Sequence, residues 1–372
     1  MKPSASQRLT DRQRLAWLRL IRTENVGPST FRDLVNRFGS AEAALEALPG
    51  LMRGLGRARI CSAAQAEAEM EAAASFGARL VAIGEPDYPR MLRQIPHPPP
   101  LVAIKGAGEI FDRPAVAMVG ARNASLAGIR FARSLSAEIG SGGYAIVSGL
   151  ARGIDTAAHE GSIDTGTVAV LAGGLDRPYP PENIALCGRI AERGVLISEK
   201  PFGWEPRARD FPRRNRLVAG LSIGLVVVEA ALRSGSLISA RLAGEMGRLV
   251  FAVPGSPLDP RAAGTNGLLK DGAILVTGAG DVLDALAPLT SLPPPQGAFD
   301  EPPDFTAAPP PAENDRSRVV EALGPTPVHV DEIVAHTGLH PAQIFMILLE
   351  LELAGRIERH SGGAVSLVRL DA

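Results

Sequence analysis

Val147-Ser148-Gly149-Leu150-Ala151-Arg152-Gly153-Ile154-Asp155-Thr156-Ala157-Ala158-His159 runs from an apolar stretch through two glycines into a helix-forming segment. A strand that ends in a glycine turn and feeds a helix is half of a βαβ unit. Glycine lets backbone amides approach an anion, and the following helix N-terminus adds the positive end of its dipole. Ser148, Gly149 and Arg152 are therefore candidate phosphate ligands: a hydroxyl, an amide turn and a counter-charge. Ser148, Asp155 and His159 also invite a hydrolase reading. The serine lacks the Gly-x-Ser-x-Gly elbow, however, and Asp155 and His159 stand one helical turn apart, which makes a local pair.

The same unit recurs on either side. Met118-Val119-Gly120-Ala121-Arg122 precedes a helix beginning near Ser125, which makes Gly120 and Arg122 candidates. It is not the dinucleotide fingerprint, because the second and third glycines are missing. Downstream, Val226-Val227-Val228-Glu229-Ala230 leads to Arg233-Ser234-Gly235-Ser236 and another helix. Ser234, Gly235 and Ser236 form a further anion cradle. Glu229 either orients an arginine or caps a helix. Val253-Pro254-Gly255-Ser256 and Gly264-Thr265-Asn266-Gly267 close the same edge.

Apolar runs at Ala115–Val119, Tyr144–Val147, Thr167–Leu171, Val195–Ser198, Ile223–Val228, Leu249–Val253 and Ala273–Val276 alternate with helical stretches such as Ala127–Ile139 and Leu237–Met246. Runs that are apolar throughout fit strands buried on both faces of a parallel sheet. The expected fold is α/β: an extended Rossmann-like, doubly wound, mostly parallel sheet with ligands at the carboxyl ends of its strands.

Between two of these units lies Phe211-Pro212-Arg213-Arg214-Asn215-Arg216. From Lys200 to Arg216 there are six cations against two acids, in a chain of net charge −1. Pro212 suits the first turn of a helix, which places Arg213, Arg214 and Asn215 near its N-terminus. Cations are disfavoured there unless an anion is present. Lys200, Arg213, Arg214, Asn215 and Arg216 join the candidate site. Trp204 and Phe211 are either base-stacking residues or core.

The flanks differ in texture. Residues 1–85 read as an all-α domain, in which Val26-Gly27-Pro28 joins two helices in the manner of a helix-hairpin-helix or a plain packing pair. The sheet domain occupies 86–287, and a Pro-rich linker runs over 288–314. Residues 315–372 read as a winged helix: helices over Ser317–Leu323, Val330–His336 and Pro341–Ala354, then β segments at Arg356–Arg359 and Ala364–Val368. The third helix carries no Arg or Lys, which leaves protein contact and DNA contact both open and favours the first.

Composition bounds the rest. With 372 residues, 45% hydrophobic and 21% charged, the chain reads as a soluble protein of two or three domains. Arg8, Asp11, Arg12, Arg14 and Arg19 interrupt any secretion signal, and no run is long enough for a membrane span. Cys61 and Cys187 match no metal or disulfide spacing, as expected in a reducing cytoplasm. The six histidines are scattered. No metal, no cofactor and no catalytic residue is expected, which makes the chain a binder, not an enzyme.

The order Gly-x-Arg, Ser-Gly-Leu-Ala-Arg-Gly-Ile-Asp, Tyr-Pro-x-Glu-Asn (Tyr179–Asn183), Ser-Glu, Phe-Pro-x-Arg-Asn-Arg, Val-Val-Glu-Ala, Ser-Gly-Ser and Pro-Gly resembles the DprA (Smf) family, densely over residues 100–280. The resemblance implies a cytoplasmic homodimer that binds single-stranded DNA without sequence preference, protects incoming strands and loads RecA onto strands covered by single-strand-binding protein, in natural transformation. It implies a DNA pocket lined by Arg122, Ser148, Arg152, Lys200, Arg214, Asn215, Arg216 and Ser236, with Gly120, Gly149, Arg213, Ser234 and Gly235 beside them. Lys200 departs from the pattern, standing where the family often carries an aromatic residue. The other reading is a small-nucleotide phosphoribohydrolase of the cytokinin-activating type. Those enzymes carry Pro-Gly-Gly-x-Gly-Thr before a catalytic Glu, and Val253-Pro254-Gly255-Ser256 lacks both the paired glycines and the acid.

Overall fold

A computed structural model describes residues 8–51, 59–290 and 311–368. The chain opens with four helices, α1 (Asp11–Arg22), α2 (Pro28–Phe38), α3 (Ala41–Leu51) and α4 (Ala63–Ser75). Thr10 and Gln13 cap α1 reciprocally, and Gly39, at φ 80°, stops α2 in the left-handed conformation that suits glycine. The chain enters the sheet at β1 (Arg79–Ala82) and β2 (Leu101–Gly106), so the all-α stretch ends before residue 85. Both strands are short and antiparallel, β1 to β2 and β2 to β6, and no glycine turn and helix announces them.

The seven expected strands follow: β3 (Ala115–Val119), β4 (Ala145–Ser148), β5 (Thr167–Val170), β6 (Val195–Ser198), β7 (Gly224–Val227), β8 (Leu249–Ala252) and β9 (Ile274–Leu275). They alternate with α5 (Leu126–Ser141), α6 (Ile154–Ser162), α7 (Ile184–Arg193), α8 (Asp210–Gly220), α9 (Gly235–Glu245), α10 (Ala263–Lys270) and α11 (Ala279–Thr290). The sheet order is β1-β2-β6-β5-β4-β3-β7-β8-β9, parallel from β6 to β9. Period-two alternation divides β3 between two cores. Ala115, Ala117 and Val119 pack with Leu217 of α8 and Ala240 of α9, while Val116 and Met118 pack with Leu135 of α5, Ile154 of α6 and Val282 of α11. From β3 the chain winds out to β4, β5 and β6, then returns to β7 on the other flank. The switch point therefore lies between β3 and β7, where a crevice opens at the carboxyl ends.

The tail holds α12 (Glu313–Glu321), β10 (Val328–His329), α13 (Val330–Thr337), α14 (Pro341–Leu353), β11 (Ile357–Arg359) and β12 (Ala364–Leu367), with a small sheet ordered β10-β12-β11. Its first helix starts earlier than expected, and α11 extends to Thr290; the remainder of the expected linker, 291–310, lies outside the described residues.

The sheet domain is one compact unit, and the N-terminal helices and the tail cluster as another. The reason is α14, whose apolar side chains are buried on more than one face. Ile344, Ile347, Leu348 and Leu351 fill the winged-helix core, whereas Leu349 and Leu353 join Leu20, Phe31, Leu34 and Leu48 of the N-terminal helices. Asn25, at the tip of the turn between α1 and α2, donates from Nδ2 to the carbonyl of Leu353 at 3.0 Å. Arg359 bridges Asp33 of α2 at 3.3 Å and Glu352 at 2.9 Å. The hairpin tip and the third helix of the wing thus face each other, not an open surface.

Candidate nucleic-acid interface

Parallel strands deliver their following loops to one edge, so residues 120–125, 149–153, 171–180, 199–209, 228–234 and 253–259 share the carboxyl rim. Most of the expected site residues lie on these loops or at the helix starts beside them; Ser148 ends β4 and Arg216 lies midway along α8. They divide into three groups by what they touch.

The first group is internal. Arg214, expected to face DNA, is 6% exposed. From α8 its side chain reaches under the rim, where Nη1 donates to the carbonyls of Gly149 and of Val170, the latter at 2.6 Å. Burial lowers its pKa to about 10, against the opposing pull of Asp155. The helix explains the difference from its neighbour: successive residues point about 100° apart, so Arg213 faces solvent while Arg214 faces the sheet. Gly149 serves this arginine, since a Cβ there would lie 2.2 Å from Arg214 Nη1. Gly120 likewise makes room for Ile154, which a Cβ would meet at 2.6 Å. Ser148 is fully buried and donates to the carbonyl of Met118 at 2.6 Å. Ser148, Gly149 and Arg214 therefore build the rim from within, and Gly120 is half-buried at its edge.

The amide cradles at two of the glycine turns are occupied by the chain itself. Gly149 and Ala151 donate their N–H groups to Asp155 Oδ2, at 3.1 and 3.3 Å. Asp155 is buried, and desolvation raises its pKa despite the Arg214 charge and these two amides. At the start of α5, Ser125 donates to Glu229 from its backbone N–H at 2.9 Å and from Oγ at 2.5 Å. At both turns expected to hold phosphate, a carboxylate from the fold accepts from these donors. His159 is also internal, its Nδ1 2.7 Å from Thr167 Oγ1, and burial lowers its pKa to about 3. It faces neither Ser148 nor solvent, so the three residues form no triad.

The second group is on the surface but paired. Lys200 Nζ lies 2.8 Å from Asp210, the first residue of α8, which also accepts from Trp204 Nε1 at 3.0 Å and from the N–H of Arg207 at 3.0 Å. The Trp204 ring carries the Lys200 ammonium 5.2 Å and the Arg207 guanidinium 4.8 Å from its centroid. Arg216 pairs with Glu199 and donates to the carbonyl of His97 at 3.1 Å.

The third group is open. Arg122 is exposed, with its guanidinium 5.3 Å from the centroid of Phe211. Tyr179, 44% exposed, meets the same ring edge-on at 5.4 Å. Arg152 reaches Glu182 at 3.2 Å, a pair whose members are both more than half exposed and easily parted. Arg213 is exposed and forms no ion pair among the described residues. At the start of α9, Ser236 is buried with its hydroxyl 2.6 Å from that of Ser234, whose Oγ also accepts from the N–H of Ser236; Asn215 Nδ2 donates to the carbonyl of Gly235 at 3.2 Å, and the space beside the exposed Gly235 is clear. Of the three glycine turns this is the one that no carboxylate of the described residues fills. Tyr179 escapes a reading of spacing alone. The signal lay in Tyr-Pro-x-Glu-Asn, whose Asn183 donates to the carbonyl of Leu150 at 2.9 Å and pins the neighbouring loop.

The rim matches a known architecture. The profile of the DNA recombination-mediator protein A family covers residues 79–287, that of a DprA-like N-terminal helix-hairpin-helix domain 11–72, and that of a DprA winged-helix domain 302–363. The chain belongs to the DprA family. Protein Smf of Synechocystis sp. is 32% identical over 93% of this chain and 96% of its own. A DNA processing protein DprA of Mycobacterium tuberculosis is 44% identical over 67% of this chain and 63% of that one. Among solved structures, DNA processing protein A of Streptococcus pneumoniae superposes with a TM-score of 0.62 at 30% identity, over 75% of this chain and 98% of that one. The Helicobacter pylori protein, studied for its single-stranded DNA binding mode, gives 0.53 at 29% identity over 57% and 96%.

Among the described residues, no group of three or more His, Cys, Asp or Glu is placed to hold a metal, and no helix is long and apolar enough to cross a membrane.

Proposed function

We propose that this chain binds single-stranded DNA without sequence preference, protecting strands in transformation and loading RecA onto them, and that it does so without catalysis. The observation that carries the binding is the open cluster of Arg122, Phe211 and Tyr179 beside Arg152, Arg213 and the vacant turn at Ser234–Ser236. Guanidinium groups and turn amides hold phosphates and carry no sequence information. Aromatic rings beside them stack on any base, and only an unpaired strand offers its bases that way. The name of the Helicobacter pylori relative supports the same ligand. Lys200, Asn215 and Arg216 flank the track, and strand phosphates compete with Glu199 and Asp210 for the two cations.

RecA, single-strand-binding protein and a cytoplasmic setting rest on the family resemblance. A homodimer gains support from β9, an edge strand of the sheet that carries the exposed Leu275 (49%). An open edge strand is a template for a second copy, and two copies on one strand gain through effective concentration.

The test is a salt titration of binding to a single-stranded homopolymer and to a duplex of equal length, with oligomeric state followed alongside. The single strand should bind more tightly, with log K falling linearly in log salt. Equal affinity for duplex and single strand would remove the stacking argument. Release of free base from adenosine monophosphate would turn the reading toward a phosphoribohydrolase.

A further inference from the structure

The position where a doubly wound sheet ordinarily receives a nucleotide phosphate is the crevice between the switch-point strands, at the N-terminus of the first helix. In this chain that position belongs to Glu229. It stands two residues past the end of β7, and the N–H of the intervening Val228 bonds the carbonyl of Val119 at 3.1 Å, so Glu229 lies beside the end of β3. Its two carboxylate oxygens take the N–H and the Oγ–H of Ser125, the N-cap of α5, while Ser125 Oγ accepts from the N–H of Gly128 at 2.9 Å. Gly128 is shaped to the carboxylate: a Cβ there would lie 2.6 Å from Glu229 Cδ and 2.6 Å from Oε1. One backbone N–H, a hydroxyl and a missing side chain therefore converge on one half-buried carboxylate. Asp155 repeats the device one strand over, on the amides of Gly149 and Ala151.

We propose that Glu229 is a built-in occupant of the switch-point anion cradle that denies it to free nucleotide phosphates. The crevice keeps the form of a mononucleotide site, but a second anion entering it meets a fixed negative charge and finds its donors taken. Phosphates of a strand do not need this cradle, because they are held further out by guanidinium groups and by the open turn at Ser234–Ser236. The fold thereby discriminates against the abundant small competitors that share its ligand's phosphate and base. The inference concerns free phosphates, and it stands or falls separately from strand binding.

The experiment uses the full chain and two variants, Glu229→Gln and Glu229→Ala, titrated calorimetrically with inorganic phosphate and with adenosine 5′-monophosphate. Binding to a single-stranded homopolymer and thermal unfolding are measured on the same samples. The wild type should bind neither small anion at millimolar concentration. The alanine variant, with cradle and charge both released, should bind both about tenfold or more tighter, the scale of a helix-terminus interaction. Glu229→Gln keeps the side-chain shape and removes the charge, so it decides the matter if the alanine variant does not fold, and it too should gain affinity. Folded variants with no gain over the wild type would overturn the proposal, as would micromolar binding of adenosine monophosphate by the wild type. Failure of the wild type to bind the homopolymer would count against the proposed function and leave this result readable.

Discussion

Replacing Arg214 by alanine tests whether the rim is built from the inside, and the adjacent Arg213→Ala is its natural control. Arg214 is 6% exposed and bonds two buried carbonyls, those of Gly149 and Val170, with the buried Asp155 inside its electrostatic reach. Its loss leaves acceptors unpaired, at about 1–3 kcal/mol each, and an acid without its cation, where breaking a buried pair costs about 3–5 kcal/mol. These do not add, because Asp155, its pKa already raised, escapes part of the cost by taking a proton. The total is therefore about 3–5 kcal/mol, a third or more of the stability of a typical domain. For a sheet domain of this size that lowers the melting temperature by roughly 6–20 °C. Trp204 sits on the loop leading into α8 and reports this domain; replacing Trp17, the other tryptophan, by phenylalanine isolates its signal. Urea unfolding followed by that fluorescence should show the full loss in Arg214→Ala and under about 0.5 kcal/mol in Arg213→Ala, an exposed site. Arg213→Ala should instead weaken strand binding and reduce the salt slope by about 1. An Arg214→Ala protein within about 1 kcal/mol of the wild type, or equal losses in the two variants, would refute the assignment of one arginine to the frame and the other to the ligand.

Phe211→Ala and Tyr179→Ala should each lower single-strand affinity by about 1–3 kcal/mol with the salt slope unchanged, as stacking predicts, and Tyr179→Phe should retain most of it. A change of slope with unchanged affinity at low salt would argue for a phosphate role instead. His159 has a folded pKa of about 3 against 6.5 for the free side chain, so below 6.5 the unfolded chain binds a proton that the folded chain refuses. Its contribution is fully present above that value and is lost as pH falls, by roughly 2–3 kcal/mol at about pH 4.5. Urea midpoints measured across this range should fall with acid in the wild type and lose that part of the slope in His159→Gln; parallel slopes would contradict the burial argument. Leu353→Ala removes a fully buried side chain shared by the N-terminal helices and the wing, at a cost of about 2–5 kcal/mol. Hydrogen exchange should speed up in α1–α3 as well as in the tail, and acceleration confined to the tail would show that the two do not fold as one.

Much of this was legible in the sequence because the signals are local. The seven parallel strands were visible as apolar runs before glycine turns. The tail showed its helices by spacing, and the bare α14 announced a helix without charged faces. The rim itself followed, since parallel strands must deliver their loops to one edge. β1 and β2 were not legible, because these antiparallel strands are not followed by the glycine turn and helix that mark a βαβ unit. Nor could spacing separate the exposed Arg122, Arg152 and Arg213 from the buried Arg214 or from Lys200 and Arg216, whose partners Asp210 and Glu199 are acids inside the basic run and just before it.

By itself the order of residues determined a doubly wound sheet flanked by two helical modules, with basic and glycine-rich loops gathered on one rim. Only the tertiary structure decided which of those loops are available to a ligand. Ser125 and Glu229 stand 104 positions apart, and Arg214 lies 65 from Gly149 and 44 from Val170. A glycine that admits a phosphate and a glycine that admits an arginine are the same letter. What distinguishes them is the side chain that packing brings to that point, and packing depends on contacts no local pattern records.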